Sequence, residues 1–221
     1  MPKLNNTLLE AIPSEDIARL ARRGEELLTQ KYDKTSARYD SILRFPGRDC
    51  RSNEFIKLVY DMLKAFGANR GKPGGSLHDL ADFQKSLRKH AGCIESLAKL
   101  KLETLKATDC ELVKTISCLF DKLELVRTKS PLVTFSKTMH FLLPNLFMPI
   151  DRWYTLRFFY GYAPSNQKAC CLEVFEQFRE FAHAHSEVLR VQVDLKSRWN
   201  RSVPKVIDNV IIGYMSNNGM K

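Results

Sequence analysis

The middle of the chain, residues 128–168, reads TKSPLVTFSKTMHFLLPNLFMPIDRWYTLRFFYGYAPSNQK. The pattern predicts two helices separated by a turn, because the first apolar run ends at Pro144 and the second ends at Gly161. Asp151 opens the second helix and is the only carboxylate in residues 125–172, a segment otherwise rich in basic and aromatic residues. An isolated acid in these surroundings has either a structural or a chemical role.

Both roles of Asp151 are open at this stage. As a helix N-cap it would accept hydrogen bonds from backbone N–H groups of the first turn, and it could also pair with Arg152 or Arg157. As a catalytic group it would act on an anionic substrate. Trp153 and Tyr154, which follow it, would either stack on nucleobases or pack inside the protein.

Helical spacing of apolar residues extends over almost the whole chain. One example is the segment SNEFIKLVYDMLKAFG at residues 52–67, which ends at a glycine suited to stop a helix. Convincing strands are missing, so we expect less than about a tenth of the residues in strands, against a typical 20–25%. The predicted fold is all-α, a single helical domain over residues 1–221, either compact or two-lobed.

The composition favours a globular protein that contacts a polyanion. The chain has 221 residues, of which 44% are hydrophobic, and a net charge of +10. That apolar content is enough for a substantial core, which argues against general disorder. Excess positive charge attracts polyanions, and nucleic acid is the commonest of these in a cell, so DNA is the predicted partner.

The cysteines and the apolar runs bear on the compartment. None of the six cysteines belongs to a CxxC pair, and the first residues, MPKLNNTLLEAIPSED, have no secretory apolar segment. We therefore expect a cytoplasmic protein with free, mostly buried thiols. No apolar run reaches the roughly 18 residues that span a bilayer, so no membrane association is expected. Histidines and cysteines lack metal-ligand spacing, and neither a metal nor a cofactor is predicted.

Two further segments carry candidate functional residues. In NRGKPGGS, Arg70 and Lys72 supply charge between glycines that let a backbone approach a phosphate, although the same loop could be a flexible surface loop. Lys137 and His140 are three residues apart and share one helix face. Lys137 is either solvated or functional, and His140 is either a hydrogen-bonded core histidine or part of a site.

The residues so far carry two resemblances. The segments GANRGKPGGSLHDLADFQKSL (67–87) and FSKTMHFLLPNLFMPIDRWYTLRFF (135–159) resemble an uncharacterised family of small bacterial and archaeal helical proteins. More distantly, a lysine-bearing helix followed by a proline-containing turn and an Asp at the next helix is similar to the helix-hairpin-helix DNA glycosylases. The segment SPLVTFSK differs from the LPGVGxK hairpin of that superfamily by having no glycine.

The second resemblance implies roles for two residues. In that superfamily the aspartate supports cleavage of the bond between base and sugar, and in some members the lysine attacks the sugar. Asp151 and Lys137 occupy the matching positions. The resemblance thus implies a DNA glycosylase-like hydrolase that acts on a modified or damaged base flipped out of the duplex.

The predicted nucleic-acid contacts extend beyond these two residues, and the protein is expected to act as a monomer. The contacts are Arg70, Lys72, His140, Arg152, Trp153, Tyr154, Arg157, Arg198, Trp199 and Arg201. Two other functions are compatible with the same residues. One is a nucleic-acid-binding module without catalysis, and the other is a helical protein whose basic face meets an acidic protein.

Overall fold

The computed structural model describes residues 4–68, 77–105, 110–128, 130–162 and 164–219. Eleven α-helices and two 3-10 turns make up the regular structure of these residues, and the one β-type contact among them is an isolated bridge between Leu77 and Val126. The all-α prediction is confirmed. The helices are α1 (Leu8–Ala11), α2 (Ile17–Leu43), α3 (Asn53–Ala65), α4 (Leu80–Lys89), α5 (Ala91–Leu97), α6 (Cys110–Lys122), α7 (Leu132–Leu142), α8 (Thr155–Tyr160), α9 (Gln167–Ala184), α10 (Ser186–Gln192) and α11 (Val203–Asn217).

Local sequence signals explain where several helices begin and end. The Ser52 hydroxyl accepts the N–H of Phe55 and caps α3, and the Asp79 carboxylate does the same for α4 through Asp82. Gly161 ends α8 in the left-handed conformation with φ of 72°. The Ser52 and Asp79 side chains satisfy backbone groups that a helix end leaves without partners.

Buried apolar side chains form one continuous cluster that draws on every helix. Phenylalanines dominate its centre, including Phe147, Phe175 and Phe178, which are 0–1% exposed. Within the described ranges no helix is both long and apolar enough to cross a membrane. Of the six cysteines, all free, three are buried and three are exposed, so the prediction of mostly buried thiols is half right.

The most extensive packing between two helices of the described residues is that of α2 against α11, which come from opposite ends of the chain. The two backbones approach so closely that a Cβ atom at Gly24 would lie 2.0 Å from the carbonyl oxygen of Asn209. At Gly213 it would lie 2.2 Å from the carbonyl oxygen of Leu20. Only glycine fits at these two positions, because the atoms in the way belong to backbone that cannot move aside cheaply.

This contact generates a prediction for stability. Gly24→Ala should lower the free energy of unfolding by about 1–3 kcal/mol or more, because the added methyl group forces α2 and α11 apart. Urea unfolding followed by circular dichroism measures the change.

The matched control is Gly92→Ala in α5, where an added Cβ meets nothing within 4 Å. Alanine is favoured over glycine in a helix by roughly 0.5–1 kcal/mol, so this variant should be unchanged or slightly more stable. Equal stability of Gly24→Ala and wild type would contradict the close contact.

Candidate active site

A cleft between α2, α7, α11 and the turn before α8 brings together most of the chemically notable residues. We call it the Asp151 cleft. Its cavity volume is about 50 Å³. It is lined by Leu28, Tyr32, Tyr39, Phe66, Lys137, His140, Phe141, Pro149, Asp151, Tyr154, Trp199, Lys205, Asp208 and Ile212.

Lys137 and Asp151 meet at this cleft. The ammonium nitrogen of Lys137 lies 3.5 Å from Oδ2 of Asp151, and the two side chains are 15% and 30% exposed. The same nitrogen lies 4.7 Å from the centre of the Phe66 ring, a distance suited to a cation–π contact. The two residues that the sequence singled out as catalytic candidates therefore form one partly buried ion pair.

Asp151 also has a structural role through its other oxygen. Oδ1 accepts the backbone N–H of Trp153 at 2.7 Å and of Tyr154 at 3.3 Å. In return, the backbone N–H of Asp151 donates to Oγ1 of Thr155 at 3.1 Å, which opens α8. The prediction that Asp151 is the N-cap of this helix is wrong, because its carboxylate closes a turn over residues 152–154 and Tyr154 occupies the N-cap position of α8 without a side-chain cap.

A second, deeper ion pair forms the floor of the cleft. Lys205 Nζ lies 2.5 Å from Oδ2 of Asp208, and both side chains are almost completely buried. Burial raises the pKa of the Asp208 carboxyl, the charge of Lys205 lowers it, and the charge of Asp151 adds to the increase. Asp208 also accepts the Thr155 hydroxyl at 3.5 Å, so one threonine side chain touches both aspartates.

Amide side chains continue this buried network towards α2. Lys205 donates to the side-chain oxygen of Asn209 at 2.8 Å, and the Asn209 amide donates to Asn200 at 2.6 Å. The Asn200 amide in turn donates to Glu25 at 2.8 Å. Each of the polar side chains in this hydrogen-bonded network has a partner, as burial in a low-dielectric interior requires.

Tyr39 and His140 form a third polar pair in the wall of the cleft. His140 Nδ1 lies 2.7 Å from the carbonyl oxygen of Phe147, which can only accept, so the proton is on Nδ1. Nε2 therefore accepts the Tyr39 hydroxyl at 2.8 Å. Burial lowers the pKa of His140 from 6.5 to about 3, so the imidazole is neutral at ordinary pH.

His140 consequently behaves as the core histidine that the sequence left as one alternative. It is 1% exposed, and both of its ring nitrogens are already hydrogen bonded within the protein. No donor or acceptor is left for a nucleic acid. The prediction that His140 binds nucleic acid directly is wrong for this reason.

The remaining predicted contacts fall into three groups. Arg152 and Trp153 are exposed beside Asp151, and Trp153 is 65% exposed. Tyr154 is half-buried and lines the cleft, with the Lys31 ammonium 5.7 Å from its ring centre. Arg157 is also half-buried. These residues keep their predicted roles as candidates.

Two predicted contacts are corrected by burial. Trp199 is 1% exposed and its ring lies 5.1 Å from that of Tyr39, so it is a wall of the cleft and presents no open stacking surface. The Arg201 side chain is 8% exposed and pairs with Asp40, which removes it from the surface where phosphates would bind.

The last three predicted contacts with nucleic acid are Arg198, Arg70 and Lys72. Arg198 is exposed, and its guanidinium pairs with Asp33 at the surface. Arg70 and Lys72 lie outside the described residues.

Three residues that line the cleft were not predicted from the sequence, namely Tyr39, Lys205 and Asp208. A signal for two of them was present, because Lys205 and Asp208 interrupt the apolar helix segment VPKVIDNVII at a spacing that places both on one face. Tyr39 gave no such signal, since its partner His140 is about a hundred residues away in the chain.

Another cluster of potential metal ligands lies outside the cleft. Donor atoms of Asp49, Cys50 and Glu95 lie within 4.8 Å of one another. Arg51 already pairs with both carboxylates, and burial raises the pKa of the Cys50 thiol, which disfavours the thiolate that a metal requires. Arg51 therefore already occupies the carboxylates that a metal would need.

Comparison of the chain with protein-family models, curated proteins and solved structures finds no match. The resemblances drawn from the sequence therefore stay predictions, and the proposed function depends on the cleft itself.

The buried Tyr39–His140 pair predicts a pH dependence of stability. Because the unfolded chain protonates His140 near pH 6.5 and the folded chain only near pH 3, the unfolded state binds the extra proton between these values. The free energy of unfolding should therefore fall as the pH decreases from 6.5, with a contribution of about 1.4 kcal/mol per pH unit.

Urea unfolding of wild type and His140→Gln between pH 6.5 and 5 isolates this contribution. The variant should show a shallower dependence on pH, and His183→Gln, which replaces an exposed histidine, is the control. Identical slopes for wild type and His140→Gln would exclude a buried neutral His140.

Proposed function

We propose that the Asp151 cleft receives one nucleotide of DNA and hydrolyses the bond between its base and its sugar. The single observation that carries the proposal is the meeting of Lys137 and Asp151, 3.5 Å apart, in a cleft walled by aromatic rings. A carboxylate suits this reaction, because the sugar becomes cationic as the base leaves and a fixed negative charge stabilises it. Aromatic walls suit a planar base.

The chemistry divides between the two residues. Asp151 faces the developing positive charge on the sugar and takes a proton from the attacking water as the water oxygen bonds to the sugar carbon, and the base departs with the electron pair of the broken bond. Lys137 holds the carboxylate in place through the ion pair. In the alternative form of the reaction, the Lys137 amine attacks the sugar carbon and displaces the base, Asp151 takes a proton from the nitrogen, and opening of the sugar ring leaves a covalent imine.

The cleft has to widen for this reaction. Its cavity volume of about 50 Å³ is below the roughly 300–1,000 Å³ of typical small-molecule sites. Tyr32, which lines the cleft, interrupts α2 with non-helical angles (φ −132°, ψ 35°). A helix bends most easily where its regular hydrogen bonding is already broken, so movement at Tyr32 would open the space beside Asp151.

The mouth of the cleft has groups suited to the DNA backbone. Arg152 and Trp153 are exposed next to Asp151, and Lys31 lies over the Tyr154 ring. Cations there would bind phosphates, and the Trp153 ring would stack on a base beside the extruded nucleotide. Neither Arg152 nor Lys31 forms an ion pair within the part of the chain that the structure describes.

The alternative function, nucleic-acid binding without catalysis, has one observation in its favour. Both oxygens of Asp151 are engaged, Oδ1 by the amides of Trp153 and Tyr154 and Oδ2 by Lys137. These contacts account for the residue without a reaction. Base release distinguishes the two functions.

DNA binding generates the first functional prediction. The affinity for a duplex or single strand should fall about 10³-fold or more between 50 and 200 mM salt if six or more phosphates are contacted. Arg152→Gln should weaken binding and reduce the salt slope by about one, since one phosphate contact is lost.

Fluorescence anisotropy with labelled oligonucleotides at several salt concentrations measures both quantities. Arg23→Gln, at an exposed arginine of α2 away from the cleft, is the control with the same change in charge. Absence of retention on DNA at about 50 mM salt would exclude the proposed partner.

The second functional prediction concerns Asp151→Asn. The amide oxygen of Asn can still accept the hydrogen bonds from the turn, so the free energy of unfolding should change by about 1 kcal/mol or less. It carries no negative charge, so the rate of base release should fall on the order of 10²–10³-fold or more. The assay is free-base release from a panel of modified DNA that includes bulky cytosine modifications.

The matched control is Asp121→Asn, which alters an exposed aspartate paired with Lys168 at 2.8 Å. Full activity of Asp151→Asn would refute the mechanism, and unfolding of Asp151→Asn would favour the purely structural role. Borohydride trapping separates the two chemistries, because a covalent adduct that Lys137→Ala cannot form would identify Lys137 as the nucleophile.

A further inference from the structure

A second cavity lies on the other side of the C-terminal end of α7. It is formed by the end of α2, the segment 45–48, Ala98 and Leu100 beyond α5, and the turn at 142–146, and it measures about 380 Å³. This volume lies within the range of small-molecule sites. We call it the Arg48 cavity, after the one charged residue among the described residues that line it.

Arg48 has no partner in the part of the chain described here, since neither an ion pair nor a hydrogen bond involves its side chain. The adjacent carboxylate is engaged elsewhere, because Asp49 accepts the backbone N–H of Arg51 at 2.7 Å and lies 4.0 Å from the Arg51 guanidinium. The neighbouring arginine at the end of α2 differs, since Arg44 binds Asp40 at 2.8 Å.

Arg48 is an exposed residue at the rim of the cavity. Its side chain keeps an exposed side, but burial lowers the pKa of its guanidinium, and the nearby Tyr39 hydroxyl opposes that change. The same charge lowers the pKa of the buried His140. An exposed arginine without a counter-ion is available to an incoming anion.

The rest of the lining suits the remainder of such a ligand. Most of the accessible lining is polar, and the exposed Asn145 adds an amide that can donate hydrogen bonds, while the half-buried Leu43, Phe45 and Leu100 offer apolar contacts. A guanidinium presents a planar pair of donors that matches phosphate and carboxylate oxygens. One unpaired cation beside a few apolar side chains suits an anionic head joined to a small apolar body.

We propose that the Arg48 cavity binds a small organic anion, with a phosphate or carboxylate head on the Arg48 guanidinium and an apolar body against the leucines. This site is separate from the Asp151 cleft and does not depend on the reaction proposed there. The two are neighbours, since Tyr39 and His140 line the Asp151 cleft and feel the charge of Arg48.

Isothermal titration calorimetry with three probes tests the site. Benzyl phosphate carries both the head and the body, inorganic phosphate carries the head alone, and benzyl alcohol carries the body alone. Benzyl phosphate should bind most tightly to the wild-type protein. Arg48→Gln should weaken that binding about tenfold or more, which corresponds to the loss of hydrogen bonds to a charged group.

Two further variants make the result specific. Arg48→Lys keeps the charge without the paired donors and should bind with intermediate affinity, and Arg23→Gln should bind like wild type because it changes the net charge away from the cavity. Circular dichroism verifies that each variant is folded. Competition by a dodecamer duplex would identify the anion as a phosphate of the DNA backbone, and its absence would identify a free small molecule.

Two outcomes would overturn the proposal. One is a wild-type protein that does not bind benzyl phosphate at millimolar concentration. The other is a folded Arg48→Gln or Arg48→Lys that binds it as tightly as wild type. Neither outcome bears on base release at Asp151, which is measured separately.

Discussion

The close contact between α2 and α11 is the constraint on which the rest of the structure depends. At Gly24 and Gly213 the two backbones touch, with no room for a side chain at either position. Because these helices come from opposite ends of the chain, their contact closes the fold and sets the depth of the Asp151 cleft between them. Any increase in their separation would pull apart the polar groups that the cleft contains.

Those polar groups are costly to place in a protein interior. A buried ion pair such as Lys205–Asp208 regains only part of the free energy that its two charges lose on leaving water. Replacing such a pair with apolar residues of similar volume often leaves a protein at least as stable. The network is satisfied only because Asn209, Asn200 and Glu25 lie within hydrogen-bond distance across the α2–α11 contact. Carboxylates with perturbed pKa values are common at functional sites, and a functional role is the simplest explanation for the cost of burying this ion pair.

Local patterns of the sequence were sufficient for much of the fold and for part of the site. Helix α3 and the helices on either side of Asp151 were predicted from apolar spacing, Gly67 and Pro144, which act over a few residues. The break between α9 and α10 at His185 was not, since no glycine or proline marks it. Asp151 stood out by composition, whereas Tyr39 and Asp208 join the site only through contacts between distant segments, which spacing along the chain does not encode.

The two oxygens of Asp151 divide its roles. Oδ1 closes the turn before α8, and an asparagine would serve there equally well, so capping alone does not explain a carboxylate. The ion pair of Oδ2 with Lys137 explains why residue 151 carries a negative charge. The presence of Lys137, which lies over the Phe66 ring inside the cleft, then needs an explanation of its own. A partly buried pair adds little to stability that apolar packing would not also give. A ligand that uses the carboxylate and the ammonium together accounts for both residues at once.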